Sequence, residues 1–118
     1  MKTKIIIVDD EYLIRNLIRN CIDWDEIEIE IVGEASNAHE CLSLIEKNKP
    51  DIILTDINMP LTNGLDMSQH LLEKYPEIKV IVITGYNKFE YAKISIRLGI
   101  SDFILKPIDD EELKLSVL

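Results

Sequence analysis

Short apolar runs alternate along this chain with segments whose apolar residues recur every three or four positions. The runs are mostly rich in isoleucine and valine, and they occupy residues 4–8, 29–35, 51–55, 79–84 and 102–106. Runs of this length and composition are typical of strands that are buried on both faces of a sheet. Strands that alternate with helices are joined by right-handed crossovers, which produce a parallel sheet covered by helices on both sides.

Helical segments separate these runs, and a fifth follows the last one. Their apolar positions are Leu13, Ile14, Leu17, Ile18 and Cys21 in the first segment, Ala38, Cys41, Leu42 and Ile45 in the second, Met67, Leu71, Leu72 and Tyr75 in the third, and Phe89, Ala92 and Ile96 in the fourth. Capping patterns, in which a polar side chain precedes an acid by three residues, predict helix starts at Asn37, Asn87 and Asp109. The sequence therefore predicts an α/β fold, a (βα)5 doubly wound parallel five-stranded sheet.

Length and charge narrow the class of protein. The 118 residues are enough for one domain with its own core, and we assign residues 1–118 to that domain. The formal net charge of −9 disfavours direct contact with a nucleic acid backbone. Neither a membrane span nor a secretory signal is evident, so we expect a cytoplasmic protein. The last helix runs to Leu118 without a stop signal, and we expect the natural chain to continue.

The cysteines and histidines carry no predicted role. Cys21 and Cys41 lie on apolar helical stripes without the close spacing of a metal or redox motif, which favours reduced thiols in the core. His39 and His70 stand alone among polar residues and are interpreted as surface residues.

Polar residues stand where four of the predicted strands end. Asp9 and Asp10 follow the first strand, Asp56 the third, and Thr84 and Lys106 end the fourth and fifth. In an open α/β sheet with strand order 2-1-3-4-5, ligands bind outside the carboxyl ends of the strands, where the winding reverses. We therefore expect these five side chains to form one site, with the second strand at the edge of the sheet contributing nothing comparable.

The residue types at this edge suggest phosphoryl transfer. Three carboxylates would repel one another unless a pKa is raised or a cation is bound, and oxygen ligands favour Mg²⁺ or Mn²⁺. A lysine and a threonine hydroxyl can hold the oxygens of an anion. A carboxylate can itself accept the phosphoryl group as an acyl phosphate.

Four segments together resemble the receiver domain of two-component response regulators. They are "IIIVDDE" (5–11), "PDIILTDINMPLTNGLD" (50–66), "VIVITGY" (80–86) and "DFILKPI" (102–108), in the order of that family. The resemblance extends over the whole chain and implies a flavodoxin-like receiver fold. It also implies a signalling switch that catalyses its own phosphorylation and dephosphorylation and has no external substrate.

The resemblance assigns a role to each matching residue. Asp56 corresponds to the aspartate that accepts the phosphoryl group from a sensor histidine kinase or a small donor. Asp10 and Asp56 correspond to direct metal ligands, Asp9 to an acid that holds the metal through water, and Asn58 to a ligand through its backbone carbonyl. The phosphate-binding residue is Lys106, with Pro107 after it as a candidate cis peptide, and the switch hydroxyl is Thr84.

The resemblance also implies how the signal is passed on. Phe103 stands where many family members have tyrosine, so the ring can switch by packing but not through a hydroxyl. Within the family, residues 22–42 and 84–108 are most similar to receivers joined to an AraC-type DNA-binding output domain, which implies a transcription regulator with that domain after Leu118. Tyr91, Ile94 and Leu98 add apolar residues to the fourth helix beyond one buried face. Receivers commonly form homodimers through the fourth helix, fifth strand and fifth helix.

Two other classes of protein use related features. A phosphoaspartyl hydrolase such as a haloacid dehalogenase-like phosphatase also uses aspartate and Mg²⁺, but its D-x-D pattern is replaced here by Asp9-Asp10-Glu11. A flavodoxin-like cofactor-binding domain needs phosphate donors where this chain has acids. Trp24 follows the first helix and is therefore predicted to lie far from Asp56.

Overall fold

The computed structural model describes residues 2–57, 64–85, 93–94 and 97–118. The strands are β1 (Thr3–Val8), β2 (Ile29–Ala35), β3 (Ile52–Thr55), β4 (Lys79–Thr84) and β5 (Asp102–Leu105). The helices are α1 (Tyr12–Cys21), α2 (Ala38–Asn48), α3 (Gly64–Lys74) and a C-terminal helix (Asp110–Val117). Residues 93–94 and 97–98 are also helical, whereas Asn87, Phe89, Tyr91, Ala92 and Ile96 of the predicted fourth helix lie outside the described residues.

All five strands are parallel and form one sheet in the order β2-β1-β3-β4-β5. The predicted (βα)5 architecture and strand order are therefore confirmed. Val8 pairs with Thr55, and Thr84 pairs with Leu105, so the carboxyl ends of neighbouring strands lie side by side. This shared edge carries the residues that follow each strand.

Local side-chain bonds set the ends of the helices. The side chain of Asn37 accepts a hydrogen bond from Glu40 N at 2.9 Å and so begins α2. This helix ends at Asn48, after which Lys49 adopts the left-handed conformation with φ of 46° and donates its N–H to Ile45 O. Asp109 begins the C-terminal helix by accepting a hydrogen bond from Glu111 N. The predicted starts at Asn37 and Asp109 are confirmed.

The sheet separates two apolar layers. On one side, Ile6, Val8, Ile53 and Val82 pack with buried residues of α2 and α3, such as Cys41 and Leu71. On the other side, Ile5, Ile7, Leu54 and Ile81 pack with Ile18 of α1 and Leu113 of the C-terminal helix. Neighbouring residues of a strand point to opposite faces, so one apolar run supplies both layers.

The predicted apolar stripe of α1 is only partly buried, which corrects the sequence interpretation. Ile18 is buried and Ile14 packs against the same layer, but Leu13 is 76% exposed and Leu17 is 48% exposed. Consecutive residues of a helix are rotated by about 100°, so Leu13 and Leu17 point about 100° away from Ile14 and Ile18. One sheet face cannot cover so wide a stripe.

The predicted fourth-helix stripe also needs a correction. Leu98 packs against the layer formed by α2 and α3, so it is not part of an exposed surface. Ile94 is 41% exposed, in agreement with the prediction.

The cysteines and histidines occupy the predicted environments. Cys21 and Cys41 are free thiols; Cys41 is buried and Cys21 packs against the α1 side of the core. Burial raises the pKa of the Cys41 thiol to about 12. His39 and His70 are exposed.

Trp24 lies at the opposite end of the sheet from the carboxyl ends of the strands. It is buried, its indole N–H donates to Ile18 O at 3.1 Å, and its carbonyl accepts from Ile29 N at the start of β2. Ile29 pairs with Thr3, the first residue of β1. The length of β1, about 16 Å at about 3.3 Å per residue, therefore separates the level of Trp24 from that of the strand ends.

Candidate functional site

Asp9 and Asp10 are the first residues after β1. Asp9 is buried, and its backbone N–H donates to Ala35 O of β2 at 3.0 Å, which continues the pattern of the sheet by one residue. Its Oδ1 accepts a hydrogen bond from Glu11 N at 2.9 Å. Asp10 is exposed at the mouth of the same edge. One acid is thus held in a fixed position while its neighbour faces the solvent.

Asp56 follows β3 directly beside them. It is buried, with its backbone N–H donating to Val8 O at 3.0 Å and its Oδ1 accepting from Ile57 N at 2.8 Å. Carboxylate oxygens of Asp9, Asp10 and Asp56 all lie within 4.8 Å of one another. The structure therefore brings together the three acids that the sequence placed at two different strand ends.

Lys106 brings a positive charge to this group of acids from β5. Its backbone N–H donates to Thr84 O at 2.8 Å, which aligns it with the end of β4. Its Nζ lies 3.3 Å from Asp9 Oδ2 and 3.6 Å from Asp56 Oδ2, so one ammonium group faces two buried carboxylates. The peptide bond between Lys106 and Pro107 is cis.

The electrostatics of the site follow from burial. Loss of hydration raises the pKa of Asp56, and the Asp9 carboxylate raises it further, while the Lys106 ammonium and the Ile57 N–H lower it without cancelling the rise. Burial lowers the pKa of Lys106, but the carboxylates of Asp56 and Asp9 outweigh this effect, and the net direction is upward. The charged form of the lysine is therefore favoured, and ionisation of Asp56 costs more free energy in the folded protein than in water.

The remaining predicted residues are placed as follows. Thr84 is fully buried at the carboxyl end of β4, and its backbone carbonyl accepts a hydrogen bond from the Lys106 N–H. Phe103 is half-buried and packs against the layer formed by α2 and α3. Asn58, whose carbonyl was predicted to bind metal, lies outside the described residues.

The set of donor atoms fits a hard divalent cation. Three carboxylates offer oxygen ligands within a space of 4.8 Å, and the exposed Asp10 leaves room for water on the open side. Mg²⁺ in proteins is bound by one or two carboxylates and keeps several waters, and Mn²⁺ accepts the same ligands. The residues that would hold it are Asp10 and Asp56, with Asp9 beside them.

Sequence reasoning missed two residues that contact this edge. Arg15 of α1 donates from Nη1 to Asp9 O at 2.6 Å and from Nε to Glu34 Oε1 at 3.1 Å. Glu34 belongs to β2, the strand that was expected to contribute nothing comparable to the site, and it acts on this edge through Arg15. These residues are 19 positions apart, so no local spacing signals their contact.

The helices of the described residues fall short of the requirements for a membrane span. Among those residues, no helix combines the length and apolar character that crossing a bilayer requires.

Comparison with known proteins gives a consistent result. Residues 5–118 match the family model described as the response regulator receiver domain. The transcriptional regulatory protein YesN of Bacillus subtilis is 32% identical over 110 residues, which cover 93% of this chain and 30% of that protein. The transcriptional regulatory protein HptR of Staphylococcus aureus is 34% identical over 112 residues, which cover 95% of this chain and 44% of that protein. The chain thus spans less than half the length of these curated relatives.

Solved structures agree with the fold. The REC domain of AraT, a response regulator from Geobacillus stearothermophilus, has a TM-score of 0.90 and 42% identity, covering 99% of this chain and 91% of that one. A CheX–CheY complex with BeF₃⁻ and Mg²⁺ from Borrelia burgdorferi has a TM-score of 0.89 at 23% identity, covering 98% of this chain and 86% of that one, and shows the same fold.

The family match decides between the three classes that the sequence left open. It covers nearly the whole chain, and it favours neither a haloacid dehalogenase-like phosphatase nor a flavodoxin-like cofactor-binding domain. Receiver domains are the signal-receiving parts of two-component systems, interact with histidine kinases and output domains, and bind Mg²⁺ at an acidic pocket. An acidic pocket at the sheet edge, the sheet order and the match over residues 5–118 all agree: this chain belongs to the response regulator receiver domain family.

Proposed function

We propose that this domain is a phosphorylation-controlled switch in which Asp56 accepts a phosphoryl group from a histidine kinase in a Mg²⁺-dependent reaction. The observation that carries the proposal is the position of Asp56, whose carboxylate lies within 4.8 Å of Asp9 and Asp10 and 3.6 Å from the Lys106 ammonium. The neighbouring acids could hold the cation, and the ammonium could pair with an oxygen of the transferred group.

The chain's own groups would divide the work as follows. Asp56 Oδ1 is occupied by the Ile57 N–H, while Oδ2 faces Lys106. In the proposed reaction, a bond forms between an Asp56 carboxylate oxygen and phosphorus, and the bond from phosphorus to the donor's histidine nitrogen, or to the acetate oxygen of acetyl phosphate, breaks. The Lys106 ammonium would then pair with an oxygen of the transferred group. Bound Mg²⁺ would supply the additional positive charge that offsets the phosphoryl oxygens.

Thr84 and Phe103 are the proposed switch residues. Thr84 ends β4 in the core, and its backbone carbonyl accepts a hydrogen bond from Lys106 N–H. We propose that its hydroxyl moves toward a phosphoryl group on Asp56. Phe103 is half-buried, so inward rotation would bury more of an aromatic ring that has no hydroxyl to satisfy. We therefore infer switching through packing.

The signal would be passed to a second domain and a second copy of the chain. Because the relatives YesN and HptR are transcriptional regulators and are more than twice as long as the matched region, we propose that an AraC-type DNA-binding output domain follows residue 118. Exposed apolar residues on the predicted dimer face support homodimer formation: they are Ile94, Leu105 and Leu115. In this arrangement, the receiver itself contacts no DNA and turns over no external substrate, and the intact regulator acts in the cytoplasm.

Adduct formation on Asp56 tests the proposal. The protein is incubated with beryllium fluoride or acetyl phosphate, with and without Mg²⁺, and the adduct is followed by ¹⁹F NMR or by intact mass. We expect one adduct, formed with Mg²⁺ present and abolished by Asp56→Asn. Asp66→Asn is the matched control, because it removes the same charge from an exposed position of α3. An adduct on the Asp56→Asn variant would show that the acceptor lies elsewhere.

A further inference from the structure

Arg15 connects the edge strand of the sheet to the acidic site. From α1, its Nη1 donates to the backbone carbonyl of Asp9 at 2.6 Å, and its Nε donates to Glu34 Oε1 on β2 at 3.1 Å. The side chain is 15% exposed, so both hydrogen bonds are largely shielded from water. A charged donor that is shielded and aimed at a main-chain carbonyl forms one of the stronger kinds of hydrogen bond.

Glu34 holds Arg15 in this orientation. Its second oxygen lies 2.8 Å from Nε of Arg19, so a single carboxylate pairs with two arginines of α1. The ring of Tyr12 lies 5.6 Å from the Arg15 guanidinium and 5.8 Å from that of Arg19. The two arginines thus share a carboxylate and an aromatic ring, but the hydrogen bond to the Asp9 carbonyl is made by Arg15.

The carbonyl that Arg15 contacts belongs to the peptide group between Asp9 and Asp10. A peptide group is planar, so fixing its carbonyl also fixes the direction of the Asp10 N–H and the position of the Asp10 Cα, from which the side chain extends. The other side of Asp9 is held by its own N–H, which donates to Ala35 O at 3.0 Å. Asp10 itself is exposed, and a main-chain anchor of this kind would limit its range of positions.

We propose that Arg15 is a positioning residue for the cation site, acting through the Asp9–Asp10 peptide, and that Glu34 orients Arg15 for this task. The inference rests on the proposed function, because it takes Asp9 and Asp10 to be part of a Mg²⁺ site. It assigns a role in that site to a helix and an edge strand that supply no metal ligand.

Charge and position predict opposite effects of removing Arg15. A nearby positive charge repels a divalent cation, so electrostatics alone would make Mg²⁺ bind more tightly to a variant without the guanidinium. Loss of the anchor would instead let the Asp9–Asp10 peptide rotate and would weaken binding. Groups that orient metal ligands typically contribute 10-fold or more to metal affinity.

Paired arginine variants separate these effects. Arg15→Met and Arg19→Met each remove one positive charge from α1 and one ion pair with Glu34. Only the first also removes the hydrogen bond to the Asp9 carbonyl. Mg²⁺ affinity is measured by NMR titration of the purified domain. We expect Arg15→Met to weaken binding by roughly 10-fold, and Arg19→Met to leave it within about 2-fold of the unsubstituted protein or slightly tighter.

A second readout does not depend on metal. In the Mg²⁺-free protein, the ¹⁵N and ¹H shifts of the Asp10 amide report the hydrogen bond to the carbonyl of its own peptide group. They should change in Arg15→Met and stay close to their original values in Arg19→Met. Arg15→Lys keeps the positive charge, but a lysine ammonium lacks the planar guanidinium that bonds the Asp9 carbonyl and Glu34 at the same time. We therefore expect this variant to recover part of the Mg²⁺ affinity.

The outcomes distinguish this inference from the proposed function. Unchanged or tighter Mg²⁺ binding in Arg15→Met, with an unchanged Asp10 amide, overturns the positioning role while leaving the switch intact. Absence of Mg²⁺ binding in the unsubstituted protein overturns the proposed function and this inference together. If Arg15→Met does not fold, the Mg²⁺ affinities of Arg15→Lys and Glu34→Gln are compared with that of Arg19→Met instead. Weaker Mg²⁺ binding in these two variants than in Arg19→Met supports the positioning role, and equal binding overturns it.

Discussion

The ammonium of Lys106 lies 3.6 Å from the carboxylate of Asp56, although the two residues are separated by 50 positions in the chain and follow strands that do not pair, β5 and β3. Lys106 also faces Asp9 at 3.3 Å, so it is the counter-ion of two buried acids. It therefore occupies the place where positive charge is required before any cation is bound.

Replacing Lys106 by methionine should destabilise the metal-free domain and strengthen its response to Mg²⁺. Two buried carboxylates would lose their partner, at a cost of about 1–3 kcal/mol in the free energy of unfolding at neutral pH. The same change removes a competitor of the metal, so Mg²⁺ should raise Tm more than in the unsubstituted protein. Denaturant unfolding and thermal melts measure both effects.

Lys74→Met is the control, since Lys74 is exposed and lies 4.0 Å from an exposed Glu46. Equal stability of the two variants would contradict the counter-ion role.

Asp56→Asn should stabilise the metal-free fold at neutral pH. Burial raises the pKa of Asp56 in the folded state above the unfolded-state pKa of about 3.9. The protein therefore loses stability as the pH rises from below the unfolded-state pKa to above the folded-state pKa. Asparagine does not ionise and avoids this loss, so we expect the variant to have a higher free energy of unfolding and a higher Tm at pH 7 than the unsubstituted protein.

The pH dependence of that gain is the sharper test. It should shrink toward zero as pH falls to about 3, below the ordinary aspartate pKa of about 3.9, because only there is Asp56 protonated in both the folded and the unfolded protein. Melts of both proteins in EDTA between about pH 3 and pH 7 give the difference. A gain that is constant across this range would mean that it arises from packing rather than from ionisation.

Mg²⁺ should stabilise the domain in proportion to its saturation. A ligand at ten times its dissociation constant, bound to the folded state alone, adds about 1.4 kcal/mol, which corresponds to about 5 °C in Tm. Asp10→Asn removes a carboxylate of the proposed metal site from an exposed position, without opening the core, and should largely remove this shift. A flat Tm at millimolar Mg²⁺ in the unsubstituted protein would show that the three acids do not form a metal site.

Trp24 should report unfolding but not occupancy of the site. Trp24 is buried at the amino end of the strands, about 20 Å along β1 from the level of Asp9, so Mg²⁺ and beryllium fluoride should leave its fluorescence nearly unchanged. Denaturant should change it strongly, because the indole leaves its contact with Ile18 O. Quenching by Mg²⁺ as large as that of a tryptophan beside a metal would contradict this placement.

Much of the site could be predicted from the sequence because parallel strands bring their carboxyl ends to one edge. Once the five runs are taken as strands, Asp9, Asp10, Asp56 and Lys106 can only emerge at that edge. Their residue types then restrict the chemistry, since grouped carboxylates need a cation or a raised pKa. The structure contains the group at the predicted place, and Asp56 has the raised pKa.

Packing between distant elements was not predictable in the same way. The apolar spacing of α1 allowed Leu13 and Leu17 to be buried, but only the direction in which the helix lies on the sheet leaves them exposed. The contact of Arg15 with Glu34 and the Asp9 carbonyl depends on that same direction. The periodicity of side chains along a strand or helix is a local property, and it determined the fold and the position of the acids. The choice of partner for a long charged side chain depends on how two elements pack across the sheet, and the tertiary structure alone decided it.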